Sequence, residues 1–257
     1  METPDSTIHE NLKVLLPLDL EERAVSWKNS QDQVRMHLFR RIGAELWNGY
    51  FARIAVESDR EGRLIDTTTA ALWLYREAAI RAEGYAVRGG GSLTELQNWQ
   101  DRIPMGHRLD AIHLLSCVER SVEEIAEIEP DCEIVRLDAI WGADPANPGG
   151  MQKFTGLVHR FTPPTADHQQ RFSREISRSL IVRGSRDGKT IHPIQQKMLV
   201  KLYDELVLSV EGYGVKDEPL ANREAIVREM DLFHKVTAVG QLFSLMGEET
   251  AGGGAEE

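Results

Sequence analysis

LYDELVLSVEGYGV occupies residues 202–215 and LYREAAIRAEGYAV occupies residues 74–87; laid over each other without a gap, they agree at seven of fourteen positions. The likeness continues on both sides. Upstream, RIAVESDREGRLID (53–66) faces LIVRGSRDGKTIHP (180–193), and each reads as an apolar run, a turn rich in Ser, Asp, Arg and Gly, and a short return run. That is the signature of a β-hairpin. Downstream, HRLDAIHLL (107–115) faces HKVTAVGQL (234–242), so that His107 and His234 take equivalent places. Three blocks in one order at a nearly constant offset imply an internal duplication. Two copies are too few for a solenoid, and a tandem pair of modules fits better.

Each copy divides into the same elements. In the second, Met198, Leu199, Leu202, Leu206, Val207 and Val210 recur at helical spacing and form one apolar face. Gly84 and Gly212 then stand where a left-handed residue would stop a helix, with Tyr85 and Tyr213 placed to pack back on its last turn. The first copy opens on two extended runs in 12–27, and the second on runs at 133–140 and 154–161. Ser30 in KNSQD and Thr165 in TPPTAD read as helix N-caps, and Pro193 suits a first helical turn. The fold class expected is α+β: two homologous modules, 8–130 and 131–247, each a small antiparallel sheet or hairpin with packed helices. A flexible stretch 1–7 and a disordered acidic tail 248–257 flank them.

Composition narrows the function classes. Hydrophobic content of 41% and charged content of 28% are those of a soluble globular chain, and no apolar run reaches membrane-spanning length. The opening METPDSTIHENLK lacks the basic and apolar regions of a signal peptide, which places the protein in a cytoplasm. A net charge of −11 argues against general affinity for nucleic acid or anionic lipid. Cys117 and Cys132 give no disulfide framework and read as small buried hydrophobes.

No catalytic, cofactor-binding or metal-binding residue is expected. His107 and His113 fall on opposite sides of a helix, and neither H-E-x-x-H nor C-x-x-C occurs. The equivalence of His107 and His234 suggests instead a satisfied polar contact at a helix start in each copy. The run Gly89-Gly90-Gly91-Ser92 lacks the Lys of a phosphate-binding loop and reads as a linker. Charge does stand out in 160–189, where the local balance is +4. Arg171, Arg174 and Arg178 share one helix stripe, and Arg183, Arg186 and Lys189 carry the positive charge into the following hairpin. These six residues are the expected partner-binding surface, since arginine is favoured at interfaces.

The stretch GLVHRFTPPTADHQQRFSRE (156–175), a strand running into PPTAD and a polar helix, resembles the opening of tail-assembly and structural proteins of tailed phages and prophages. The resemblance covers about twenty residues and carries no functional residue across. It implies an α+β virion component or assembly factor, non-enzymatic, whose partners are other protein subunits, acidic or virion-borne, including further copies of itself. Its place would be the host cytoplasm or the virion. Two alternatives are a bacterial enzyme or enzyme subunit with its site in the cleft between modules, and a nucleic-acid adaptor using the arginine stripe.

Overall fold

The computed structural model describes residues 14–58, 63–123, 128–180 and 194–252. The chain enters through β1 (Leu16–Pro17) and then turns into a hairpin of β2 (Glu22–Lys28) and β3 (Val34–Arg40), in which Val25 lies opposite His37. The turn between them is KNSQD. Asn29 organises it, its side-chain oxygen accepting from the N–H of Gln31 and Gln33 at 3.0 and 2.9 Å. Ser30 therefore sits in a hairpin turn and caps no helix. The strands expected in 12–27 are displaced along the chain to 22–40, and upstream, among the described residues, only Leu16–Pro17 pairs as a strand.

After the hairpin come α1 (Ala44–Phe51), the antiparallel pair β4 (Ala55–Ser58) and β5 (Arg63–Asp66), and α2 (Thr68–Ala78). Helix α2 passes without a loop into β6 (Ala79–Glu83), which completes the sheet β2-β3-β6. The short α3 (Trp99–Arg102) and then α4 (Met105–Leu115) close this half.

The other half runs in a comparable order. A sheet β10-β9-β8-β7 is built from β7 (Val118–Arg120), β8 (Glu133–Ala143), β9 (Met151–Phe161) and β10 (Val207–Glu211), with Val135 opposite His159. Helix α5 (Ala166–Leu180) starts at Thr165, whose hydroxyl accepts from the His168 N–H at 3.4 Å, as expected of an N-cap. Helix α6 (Ile194–Leu206) passes directly into β10 as α2 passes into β6. Then follow β11 (Tyr213–Val215), β12 (Glu218–Pro219), α7 (Arg223–Glu229) and α8 (Leu232–Gly252). The second hairpin expected in 180–193, with Pro193, lies almost wholly outside the described residues. The molecule is thus α+β, with three small sheets and one separate two-stranded pair among the described residues.

Gly84 and Gly212 do have positive φ, 86° and 85°, but they end strands β6 and β10 and not the helices expected there. The helices stop earlier, at Ala78 and Leu206. A V-L-S-V segment fits a helical face and a strand alike, and pairing with β9 decides for the strand. Both edge strands carry a register shift beside their helix, between Leu38 and Phe39 in one sheet and between Val207 and Ser209 in the other. The residue left over at each shift, Ile80 or Leu208, is exposed.

The halves are joined by exchanged parts. Strand β1 pairs in parallel with β11, and Leu16 and Leu18 lie in the core of the second half. In return, Phe233 of α8 packs against Trp47, Tyr50 and Phe51, with ring centroids 4.5, 6.1 and 5.0 Å away. Strand β7, upstream of the expected boundary at 131, already belongs to the second sheet. At the seam the buried Arg23 pairs with the buried Asp231 at 3.0 Å and lies flat on Trp141.

Alanine at either positive-φ glycine costs stability, but unequally. A Cβ on Gly84 would stand 2.4 Å from the backbone oxygen of Val34, whereas one on Gly212 would meet the movable Cδ2 of Leu157 at 2.8 Å. Gly212→Ala is expected to cost about 1 kcal/mol and Gly84→Ala distinctly more. Urea midpoints of the two variants check this, and equal or absent losses would contradict it.

Candidate functional site

Tyrosines and histidines in the two halves form two matching hydrogen-bonded chains. In the first half the Tyr75 hydroxyl lies 2.8 Å from Nδ1 of His37. His37 Nε2 is 2.9 Å from the Tyr85 hydroxyl, which is 2.9 Å from Nδ1 of His107. In the second half Tyr203 meets His159 Nδ1 at 3.0 Å. His159 Nε2 then meets Tyr213 at 2.7 Å, and Tyr213 meets His234 Nδ1 at 2.8 Å. The same nitrogens are used in the same order. Phe39 and Phe161 stand edge-on to Tyr75 and Tyr203 at the same centroid distance, 5.6 Å.

Local structure explains the placement. His37 and His159 point inward from the middle strands β3 and β9. Tyr75 and Tyr203 come from the last turns of α2 and α6. Each EGY glycine turns the chain out of the edge strand, and the next residue, Tyr85 or Tyr213, reaches back to the imidazole. His107 and His234 are the third residues of α4 and α8. The polar contact expected of this last pair is present in both halves.

Proton bookkeeping fixes the character of the chains. A neutral imidazole has one donor and one acceptor nitrogen, and each hydroxyl has one proton. If Tyr75 donates to His37, then His37 donates to Tyr85 and Tyr85 donates to His107, so every proton in the row has an acceptor. Protonating a central imidazole would make it a double donor and break that polarity. Burial enforces neutrality as well. It lowers His37 to about 4, with His107 and Arg35 adding to the effect. It lowers His234 to about 4 even though Asp231 pulls the other way, and it holds His159 well below the ordinary value. Tyr85 is pushed up to about 12, chiefly by burial.

The two chains end differently. His107 is only half-buried, whereas His234 is fully enclosed, edge-on to Trp141, and its Nε2 has no hydrogen-bond partner. His37 and His159 are the residues that sequence reasoning missed. They stand 122 apart, outside the 127–128 offset of the matched blocks, because the segments between strand and helix differ in length.

The arginines of 171–189 are placed only in part. Arg171 forms a two-pronged ion pair with Glu205 of α6 and a second pair with Asp167 at 3.2 Å. Arg174, one turn on, is exposed. The side chain of Arg178, and the whole of Arg183, Arg186 and Lys189, lie outside the described residues. Cys117 and Cys132 are half-buried, where full burial was expected. The Cys132 thiol lies 3.1 Å from Glu129 and is pushed up to about 11, first by its surroundings and then by that carboxylate. Among the described residues no helix is long and apolar enough to cross a membrane. Comparison with protein-family models, curated proteins and solved structures finds no match.

Two expectations follow from these chains. Tyr213→Phe strands a nitrogen on each of two buried histidines, whereas Tyr203→Phe strands one. The first should therefore cost roughly twice the second, about 3 against about 1.5 kcal/mol by chemical denaturation. Acid should also unfold the protein early. The folded values of His37, His159 and His234 lie below the unfolded value near 6.5, so the unfolded chain takes up more protons as pH falls. The stabilisation is complete above about pH 6.5 and declines below it, by about 1.4 kcal/mol per pH unit for each such histidine. Urea midpoints that stay level from pH 7.5 to pH 5 would show that these imidazoles are not held neutral.

Proposed function

We propose that the chain is an internal duplication of an α+β module and serves as a non-enzymatic structural or assembly protein of a phage-like particle. The carrying observation is that both halves turn their central histidines and tyrosines to the same use, with like distances. His37 and His159 have both ring nitrogens taken by tyrosine hydroxyls. The groups best suited to acid–base chemistry are therefore spent on holding each module in shape, which is the work of a scaffold. The unequal loops and the exchange of β1 and Phe233 fit a duplicated unit whose copies later fused across a common seam.

The docking element in this reading is α5. Arg171 is tied to α6 and fixes the helix on its module, while Arg174 is exposed one turn further along the same stripe. In this reading Arg174 presents a guanidinium fork to an acidic protein partner, and the sequence adds Arg178, Arg183, Arg186 and Lys189 as further positive charge. The resemblance of 156–175 to tail-assembly proteins supplies the kind of particle.

The double variant Arg174→Glu, Arg178→Glu tests the reading. Its folding stability should stay within about 1 kcal/mol of the original if the stripe faces solvent, as Arg174 does, because exposed charges contribute little. Pull-downs from the native host at low salt should recover an acidic subunit with the parent chain and lose it with the variant. Retention of every partner by the variant would remove the arginine stripe from the proposal.

A further inference from the structure

A cavity of about 210 Å³ opens at the seam between the halves. Its wall includes Arg23 and Arg41, the start of α1 at Gly43, and Arg228, Glu229, Asp231 and Lys235 from the α7–α8 corner. Three features of this wall point to one kind of occupant.

The first is a surplus of positive charge. Glu229 is shared by Arg41 at 3.3 Å and Arg228 at 2.7 Å, Asp231 is taken by Arg23, and Asp204 is taken by Lys235 at 2.7 Å. Four cations thus stand against three carboxylates. The second is an unused buried donor. Arg23 is 4% exposed, and its Nε–H has no acceptor. The third is an open helix end. Gly43 is the N-cap of the eight-residue α1 and has no side chain to receive the first-turn amides. A Cβ built on Gly43 meets nothing within 4 Å, so there is room at that end. The adjoining corner is closed by contrast. Asn222 caps α7, and Asp231 accepts the Phe233 N–H at the start of α8.

We infer that the seam cavity binds a small oxyanion, a phosphate or a carboxylate, held between the Arg41 and Arg228 guanidinium groups and the free amides of α1, over Arg23 and Lys235. Helix-end amides, a surplus cation and planar forks are the donor set that such an anion takes. Arg228, 71% exposed, forms the rim, and Lys235 lies in the floor. The bound anion would draw groups from both halves to one point, so occupancy would tighten the seam. This site is separate from the arginine stripe on α5 and does not depend on it.

The test uses the full chain, with inorganic phosphate and malonate as probes, by calorimetric titration and thermal shift at ionic strength matched with sodium chloride. Saturable binding of at least one probe, with a rise in melting temperature, is expected. The tighter probe assigns the ligand as a phosphate ester or a carboxylic acid. Gly43→Asp places a carboxylate over the open amides, and it should keep or raise the melting temperature while weakening the probe at least tenfold. Arg228→Gln, at the rim, should also weaken binding with the fold intact. No saturable binding above the chloride control, or binding unchanged in both variants, overturns the inference.

Discussion

A neutral imidazole with a tyrosine hydroxyl at each of its two nitrogens is the constraint around which each half is arranged. Four side chains from separate parts of the chain must meet around an imidazole withdrawn from water, and a buried polar atom left without a partner costs about 1–3 kcal/mol. The middle strand therefore has to present its histidine inward. The second helix has to finish one turn past its tyrosine, and the edge strand has to break at a glycine so that the next tyrosine can return. The last helix has to begin two residues before its own histidine. Apolar packing would tolerate small shifts of any of these elements, but the hydrogen-bond row does not. It specifies register as well as adding stability.

The seam shows how two such units coexist. Each core closes on a piece of the other half: Leu16 and Leu18 fill the second, and Phe233 fills the first. Between them lies the Arg23–Asp231 pair. Burial works against charge on both partners, but Asp231 is kept ionised by Arg23 and by the Phe233 N–H. The guanidinium face on Trp141 gives Arg23 a neighbour that an ammonium could not use as well. This is why the second chain of hydrogen bonds ends sealed, while the first ends at the half-buried His107.

The sequence was legible where a local pattern had one physical meaning. The hairpin in 53–66 and the Thr165 cap were of that kind. The pairing of His107 with His234 showed because the offset between blocks is constant there. The pattern failed where two periods overlapped. Val207 and Val210 suit a helix face until β9 claims them, and KNSQD offers a cap and a hairpin turn with the same residues. His37 and His159 were hidden because hydrogen-bond partners far apart in sequence leave no spacing to read. Nor could spacing bring Arg23 of an early strand to Asp231 at the start of the last helix. The cavity there is a product of folding alone.

The exchange across the seam bears on how the chain acquires its shape as it is made. The first half needs Phe233 to cover Trp47, Tyr50 and Phe51, yet Phe233 leaves the ribosome long after them. Residues 16–18 have the reverse history, since they emerge long before β11 and must wait for it. Neither half can finish independently, and most of the chain must emerge before either core closes. This late closure leaves the growing polypeptide in need of shelter until α8 has emerged, and it makes α8 the step that commits both halves.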